Sequence, residues 1–171
     1  MDTLWLLLEL ANLLLFTAVI VPRQQPAAAK PLLPIGATQF LRLTWVLPIL
    51  AFGVSLFFDH QVTALDWLCL AIAIMGNALV IKGKRDLGSS HTWAGFYLPG
   101  ARIIRSGIFQ WVSHPMYIGI VAVIVSCSLV YIVRLPGYIS AAALICCLYI
   151  VAFLMIAAFR EQRVLHQTNS A

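Results

Sequence analysis

The sequence predicts an all-α integral membrane protein with about five transmembrane helices. Three observations carry that expectation. First, 62% of the 171 residues are hydrophobic and 10% are charged, against about 25% charged in a soluble domain. One soluble domain of this length cannot hide so much apolar surface. Second, the apolar residues gather into five stretches, each close to the roughly 20 residues that cross a bilayer at 1.5 Å rise per residue. Third, the lysines and arginines sit between those stretches, almost all on one side. The same composition excludes a disordered chain, which is apolar-poor and charge-rich. Four cysteines in a chain of this size do not suit a disulfide-stapled secreted fold. The net charge of +5 does not indicate nucleic-acid binding, because the basic residues flank apolar runs rather than lining a soluble face.

The first span is expected from about Thr3 to Val21, rich in leucine. Asp2, with no lysine or arginine beside it, argues against a signal-peptide n-region, although Ala27-Ala28-Ala29 has the small residues of a cleavage site. Pro22, Pro26, Pro31 and Pro34 make the following loop an extended, semi-rigid connector. The second span is expected over Phe40–Phe58, kinked by Pro48, which neighbouring helices accommodate in lipid. The third runs over Leu65–Ile81, the fourth over Met116–Val133 and the fifth over Gly137–Phe159. A polar loop, 82–115, and a tail, 160–171, complete a single membrane domain over 1–171 with no internal repeat.

Orientation follows from the basic residues. With five spans, one side carries only Arg134. The other carries Arg23, Lys30, Arg42, Lys82, Lys84, Arg85, Arg102, Arg105, Arg160 and Arg163. The N-terminus is therefore expected outside, and the C-terminus and the 82–115 loop in the cytoplasm. Lys82, Lys84 and Arg85, with Arg102 and Arg105, flank the inner interface, where they meet anionic headgroups.

Few polar residues enter the spans. Cys69, Cys127, Cys146 and Cys147 match no zinc or redox spacing and read as small packing residues. Glu9 lies within two turns of the start of the first span, which suits a structural or interfacial role. Asn12 and Asn77 read as interhelical hydrogen-bond partners. His60, His91, His114 and His166 are scattered without an i,i+4 ligand partner, so no metal is expected. His114 stands apart because Pro115 follows it at a helix start. The free N–H groups of such a turn hold anionic groups, and His114 and Tyr117, three residues apart, share one face. A polar pocket at the membrane boundary and a plain helix start both fit these residues taken alone.

Ser106-Gly107-Ile108-Phe109, followed by His114-Pro115-Met116-Tyr117-Ile118-Gly119, resembles the signature of the isoprenylcysteine carboxyl methyltransferase and phospholipid methyltransferase superfamily. That signature reads S-G-x-[YF], a spacer, R-H-P-x-Y-x-G, an apolar hairpin, then E-E-x-x-L. Spans four and five supply the hairpin, and Glu161-Gln162-Arg163-Val164-Leu165 the last element. Leu87-Gly88 resembles the upstream L-G-x-x-[WF] element, with His91 in the aromatic slot or Trp93 displaced by two. The resemblance covers roughly residues 80–165. Ser113 replaces the arginine before H-P, Gln162 the second glutamate, and Ala157 the arginine that engages a prenylcysteine carboxylate.

The resemblance implies a membrane methyltransferase that binds S-adenosylmethionine near the cytosolic face and admits a lipid-like or other apolar acceptor from the bilayer. Membrane lipids are its surroundings, and no nucleic acid or metal takes part. It places Ile103, Ile104, Phe109, His114, Pro115, Met116, Tyr117 and Glu161 around the cofactor, and Glu161 and Arg160 at the reacting end. Phe109 and Trp111 are expected as its aromatic wall. A nicotinamide-dependent membrane reductase and an inactive interaction protein of the same fold are the alternatives.

Overall fold

The computed structural model describes residues 2–21, 28–58, 61–88, 92–99 and 106–169, with side chains to 164. Its helices are α1 (Thr3–Ile20), α2 (Ile35–Thr44), α3 (Val46–Ser55), α4 (Ala64–Leu87), α5 (Pro115–Ile132) and α6 (Gly137–Asn169). With α2 and α3 taken as one span, five helical segments among the described residues are long and apolar enough to cross a membrane. The membrane class predicted from composition therefore holds.

The boundaries differ from the sequence expectation in ways that have physical causes. The second span starts at Ile35, not Phe40, and it breaks at Trp45 instead of bending at Pro48. A proline has no N–H to give to the carbonyl four residues back. For Pro48 that carbonyl belongs to Thr44, the last residue of α2. The α4 helix continues past Ile81 to Leu87, and α6 past Phe159 to Asn169. At 33 residues, α6 is about 50 Å long, well beyond the roughly 30 Å hydrocarbon core. These overhangs of α4 and α6 stand beyond the start of the shorter α5. We call that end of the bundle the site end. The connector after α1 is extended as expected, but it also contributes β1 (Lys30–Pro31), which pairs antiparallel with β2 (Phe96–Tyr97) from the long loop.

The bundle has two apolar centres. Near the site end, Phe16, Leu41, Val80, Ile124, Phe153 and Leu154 pack together. Toward the far end, Trp5, Phe52, Leu56, Leu70, Val130 and Tyr131 do so. Leu14, Leu43, Phe57, Met75, Leu148 and Phe159 point outward, the arrangement expected where the solvent is lipid. Several hydroxyls inside the spans are satisfied within their own helix. Thr17 donates to Leu13, Thr44 to Leu41, Ser55 to Phe52 and Ser126 to Ala122. As expected, Asn77 Nδ2 joins α4 to α1, donating to Asn12 Oδ1 at 2.6 Å and to the Asn12 carbonyl at 3.2 Å. The four cysteines are free thiols.

The most extensive interface is α4 against α5, and small residues line it. A Cβ added at Gly76 would lie 2.7 Å from the Gly119 carbonyl oxygen, and one added at Gly119 would strike the Gly76 carbonyl. One α4 heptad on, a Cβ at Gly83 would meet the Met116 side chain at 2.6 Å. The backbones touch, and side chains there would force them apart. Replacing Gly76 or Gly119 with leucine should therefore destabilise the bundle by about 1–3 kcal/mol, the usual cost of overpacking. Gly36→Ala, where none of the described residues lies within 4 Å, should be neutral. Thermal unfolding in detergent reads the difference.

Candidate functional site

Three pieces of chain converge at the site end. The first is the start of α5. Pro115 occupies its first position and the N-cap residue His114 makes no side-chain cap bond; the N–H groups of Met116 and Tyr117, in the first turn, have no acceptor within the helix. Pro115 is buried and seats against Gly83. The expected shared face is present: the His114 and Tyr117 rings stack with centroids 5.5 Å apart and planes 4° apart. His114 Nε2 is buried with no hydrogen-bond partner among the described residues. Burial pushes the imidazole below the ordinary histidine value, favouring the neutral ring.

The second piece is the end of α6. The antiparallel hairpin that seats Tyr131 Oη 3.6 Å from Cys147 Sγ carries Tyr117 level with Glu161, and these two side chains lie within electrostatic range. Glu161 is half-buried. Arg160, its neighbour, turns outward and donates through Nη1 to the Leu32 carbonyl at 2.8 Å. It straps the connector to α6. Ala157 is fully buried in the apolar centre.

The third piece is the turn before α5. Asp86 Oδ2 accepts from the Ile108 backbone N–H at 2.9 Å, and Lys82 pairs with Asp86 Oδ1. Gly107 has φ +62°, in the left-handed region that favours glycine, and it lies directly on the Asp86 carboxylate, which a Cβ would strike. Asp86 thus clamps the Ser106–Phe109 turn to the overhang of α4. Sequence reasoning missed it. The Lys82–Asp86 spacing was legible as a helical i,i+4 pair, but the reach to Ile108 was not. Lys82, expected to meet lipid headgroups, pairs with Asp86 instead.

A cap closes over these pieces. Leu32 donates to Gly95, Thr92 to Phe96 and Tyr149 to Ala37. The Arg42 guanidinium lies 4.8 Å over the Trp93 ring. Beneath the cap is a cavity of about 60 Å³, walled by Trp45, Trp93, Met116, Tyr117, Ile120 and Leu154, with Lys84 at its edge. Lys84 Nζ also donates to the Val19 carbonyl at 2.8 Å. Trp93, which the resemblance placed beside the aromatic slot of the Leu87-Gly88 element, lies in this wall; the sequence did not single out Trp45, because an apolar aromatic in a span reads as packing.

Of the residues expected around the cofactor, the structure joins His114, Pro115, Met116, Tyr117 and Glu161. Phe109 sits on the clamped turn, partly buried. Trp111 is 82% exposed and forms no wall, which suits an aromatic anchor at the membrane surface. Ile103, Ile104, Arg102, Arg105 and His91 lie outside the described residues, as do His60 and the side chain of His166. Among the described residues, no three of His, Cys, Asp and Glu gather as a metal group.

A sequence model of the family described as phospholipid methyltransferase matches residues 65–169. Comparison with curated proteins and with solved structures gives no match.

The clamp and the buried imidazole each have a measurable consequence. Asp86→Ala should speed hydrogen exchange at the Ile108 amide while leaving the α5 interior protected. For His114, the unfolded chain binds more protons than the folded one between the depressed folded value and about 6.5. Stability should therefore fall as pH drops through that window, and His114→Gln should flatten the dependence in detergent melts.

Proposed function

The chain belongs to the phospholipid methyltransferase family, and on that premise we propose that it transfers a methyl group from S-adenosylmethionine to a lipid-like acceptor at the site end of the bundle. The observation that carries this reading is that Glu161 lies within electrostatic range of Tyr117, on which the His114 ring is stacked. These residues come from the two halves of the sequence signature, and the hairpin register brings them together.

The residues present fit that cofactor. It carries an ammonium, a carboxylate, a ribose, an adenine and a positive sulfonium. Glu161 is the anionic partner for one of its cationic groups. The Met116 and Tyr117 N–H groups, at the positive end of the α5 dipole, suit its carboxylate. The neutral His114 ring, with an uncommitted Nε2, offers a hydrogen bond and a flat face. Ile103, Ile104 and Phe109 belong to the same proposed lining from the preceding loop. Arg160 contributes by holding the connector closed through Leu32.

When bound, the cofactor supplies a methyl group activated by its sulfonium. The protein's part is to align the acceptor and keep water out. The cavity behind Met116 and Tyr117 suits the acceptor's apolar body. Its walls are mostly aromatic and aliphatic, with Lys84 and Thr92 the polar members, and none of the described lining residues is a carboxylate. Met116 and Tyr117 then form the wall shared by cofactor and acceptor. Ala157, buried where prenylcysteine enzymes carry their arginine, disfavours a prenylcysteine carboxylate. The basic residues gather toward the site end, consistent with that end facing the cytoplasm, the compartment of a soluble cofactor.

Calorimetry on the detergent-purified protein tests the cofactor. The wild type should bind S-adenosylmethionine, and Glu161→Ala and His114→Ala should lose binding while keeping the wild-type melting transition. Binding of a nicotinamide cofactor instead would replace this reading with a reductase. Binding of neither by folded protein would leave an interaction protein of the same fold. With an acceptor in hand, Trp93→Ala should raise its KM severalfold and leave the cofactor Kd unchanged.

A further inference from the structure

The overhanging end of α4 holds the segment that leads into α5 at two points. At the first, Pro115 and Met116 pack against Gly83. At the second, Asp86 Oδ2 accepts from the Ile108 N–H at 2.9 Å. Gly83 and Asp86 are three residues apart and so share one face of the helix. Residues 109–114 therefore form a short arch with both feet on the same turn of α4. Phe109 and His114, at the two ends of the arch, are two of the residues proposed to line the cofactor.

The two feet differ in what maintains them. Pro115 and Met116 belong to α5, whose register is fixed by the glycine seam with α4. The turn at the other foot has little of its own. It is a single 3-10 turn, Gly107–Gln110, and its N-cap residue Ser106 makes no side-chain capping bond. The Phe109 N–H donates to the Ser106 carbonyl, and those of Trp111 and Val112 to the Ile108 carbonyl. Such turns have poor hydrogen-bond geometry and persist only in short pieces. The carboxylate that takes the Ile108 N–H comes from another helix, and not from the residue before the turn. Gly107 makes its approach possible, because a Cβ there would strike the carboxylate. Lys82 holds the other carboxylate oxygen. Lys82 and then the Ile108 N–H keep the Asp86 carboxyl below the usual carboxylate range, so it is an ionised acceptor at neutral pH.

We propose that Asp86 is a positioning residue of the methyl-transfer site. It touches neither cofactor nor acceptor, and acts through Gly107 and Ile108 to hold Phe109 and His114 where the cofactor needs them. Asp86 stands just before the Leu87-Gly88 element, outside every motif residue that the resemblance assigns. This role rests on the methyltransferase reading of the site.

Titration of the full chain in detergent with S-adenosylmethionine, followed by calorimetry, tests it, with the melting transition of each variant as the control for folding. Asp86→Ala should raise the Kd by about tenfold, the scale of a hydrogen bond to a charged group, and leave the melting transition in place. Asp86→Asn keeps an oxygen that accepts from Ile108 and should restore most of the affinity. Lys82→Gln should bind like the wild type. Gly107→Ala should also raise the Kd, because its methyl group meets the carboxylate. Combined with Asp86→Ala, it should fall short of the product of the two single effects, since the group it strikes is gone.

Wild-type affinity in a folded Asp86→Ala protein would overturn the proposal and leave the methyltransferase reading standing. Single effects that multiply would do the same. So would an Asp86→Asn or Lys82→Gln protein as weak as Asp86→Ala, because the ion pair and not the cap would then be responsible. Should Asp86→Ala fail to fold, wild-type affinity in Gly107→Ala would overturn it instead. No binding by the folded wild type would overturn the methyltransferase reading, and this role with it.

Discussion

The close approach of α4 and α5 at Gly76 and Gly119 is the constraint on which the rest of the molecule depends. Lipid tails are as apolar as leucine, so helices in a bilayer gain little from burying apolar side chains against one another. What holds them is close van der Waals contact and a few interhelical hydrogen bonds. Glycines on both sides of the crossing let the two backbones meet, and Gly83 prolongs the seam until it takes Pro115 and Met116. The register of α5 against α4 is thereby fixed, and with it the height of the helix start that carries His114.

Everything at the site end follows from that height. With α5 beginning beside Gly83, the last turn of α4 overhangs it. Asp86 stands there at the right level to accept from Ile108 and hold the preceding turn. The α5–α6 hairpin then returns Glu161 to the level of Tyr117. The cap of β1 and β2, strapped by Arg160 and Arg42, closes the space between the overhangs. A helix start, a carboxylate and an apolar cavity meet because helices of unequal length are locked in one register. The far end uses different means. Asp66 and Arg134 form a buried ion pair there and tie the α5–α6 turn to the start of α4. A charge so placed is costly in a membrane interior unless it is paired and hydrogen-bonded.

The sequence by itself determined the membrane class, the number of spans, and the identities of the residues at the helix start and after the fifth span. Each of these is local. Apolar run length reports burial in lipid, a proline reports a helix boundary, and motif residues can be read in order along the chain. It also foretold the Asn12–Asn77 pairing, since two amides inside apolar spans need each other. The tertiary structure alone decided what depends on which side chains face one another across helices. It moved the break in the second span to Trp45, bonded Arg160 to the Leu32 carbonyl and left Trp111 exposed. It drew Lys82 to Asp86 and recruited Trp45 and Trp93 into a cavity wall. It also chose between the structural and interfacial roles expected for Glu9 by burying it. Nothing in a run of apolar residues encodes rotation about the helix axis. In lipid every face of a span is apolar, so the amphipathic pattern that reveals the inward face of a soluble helix is absent, and only packing supplies it.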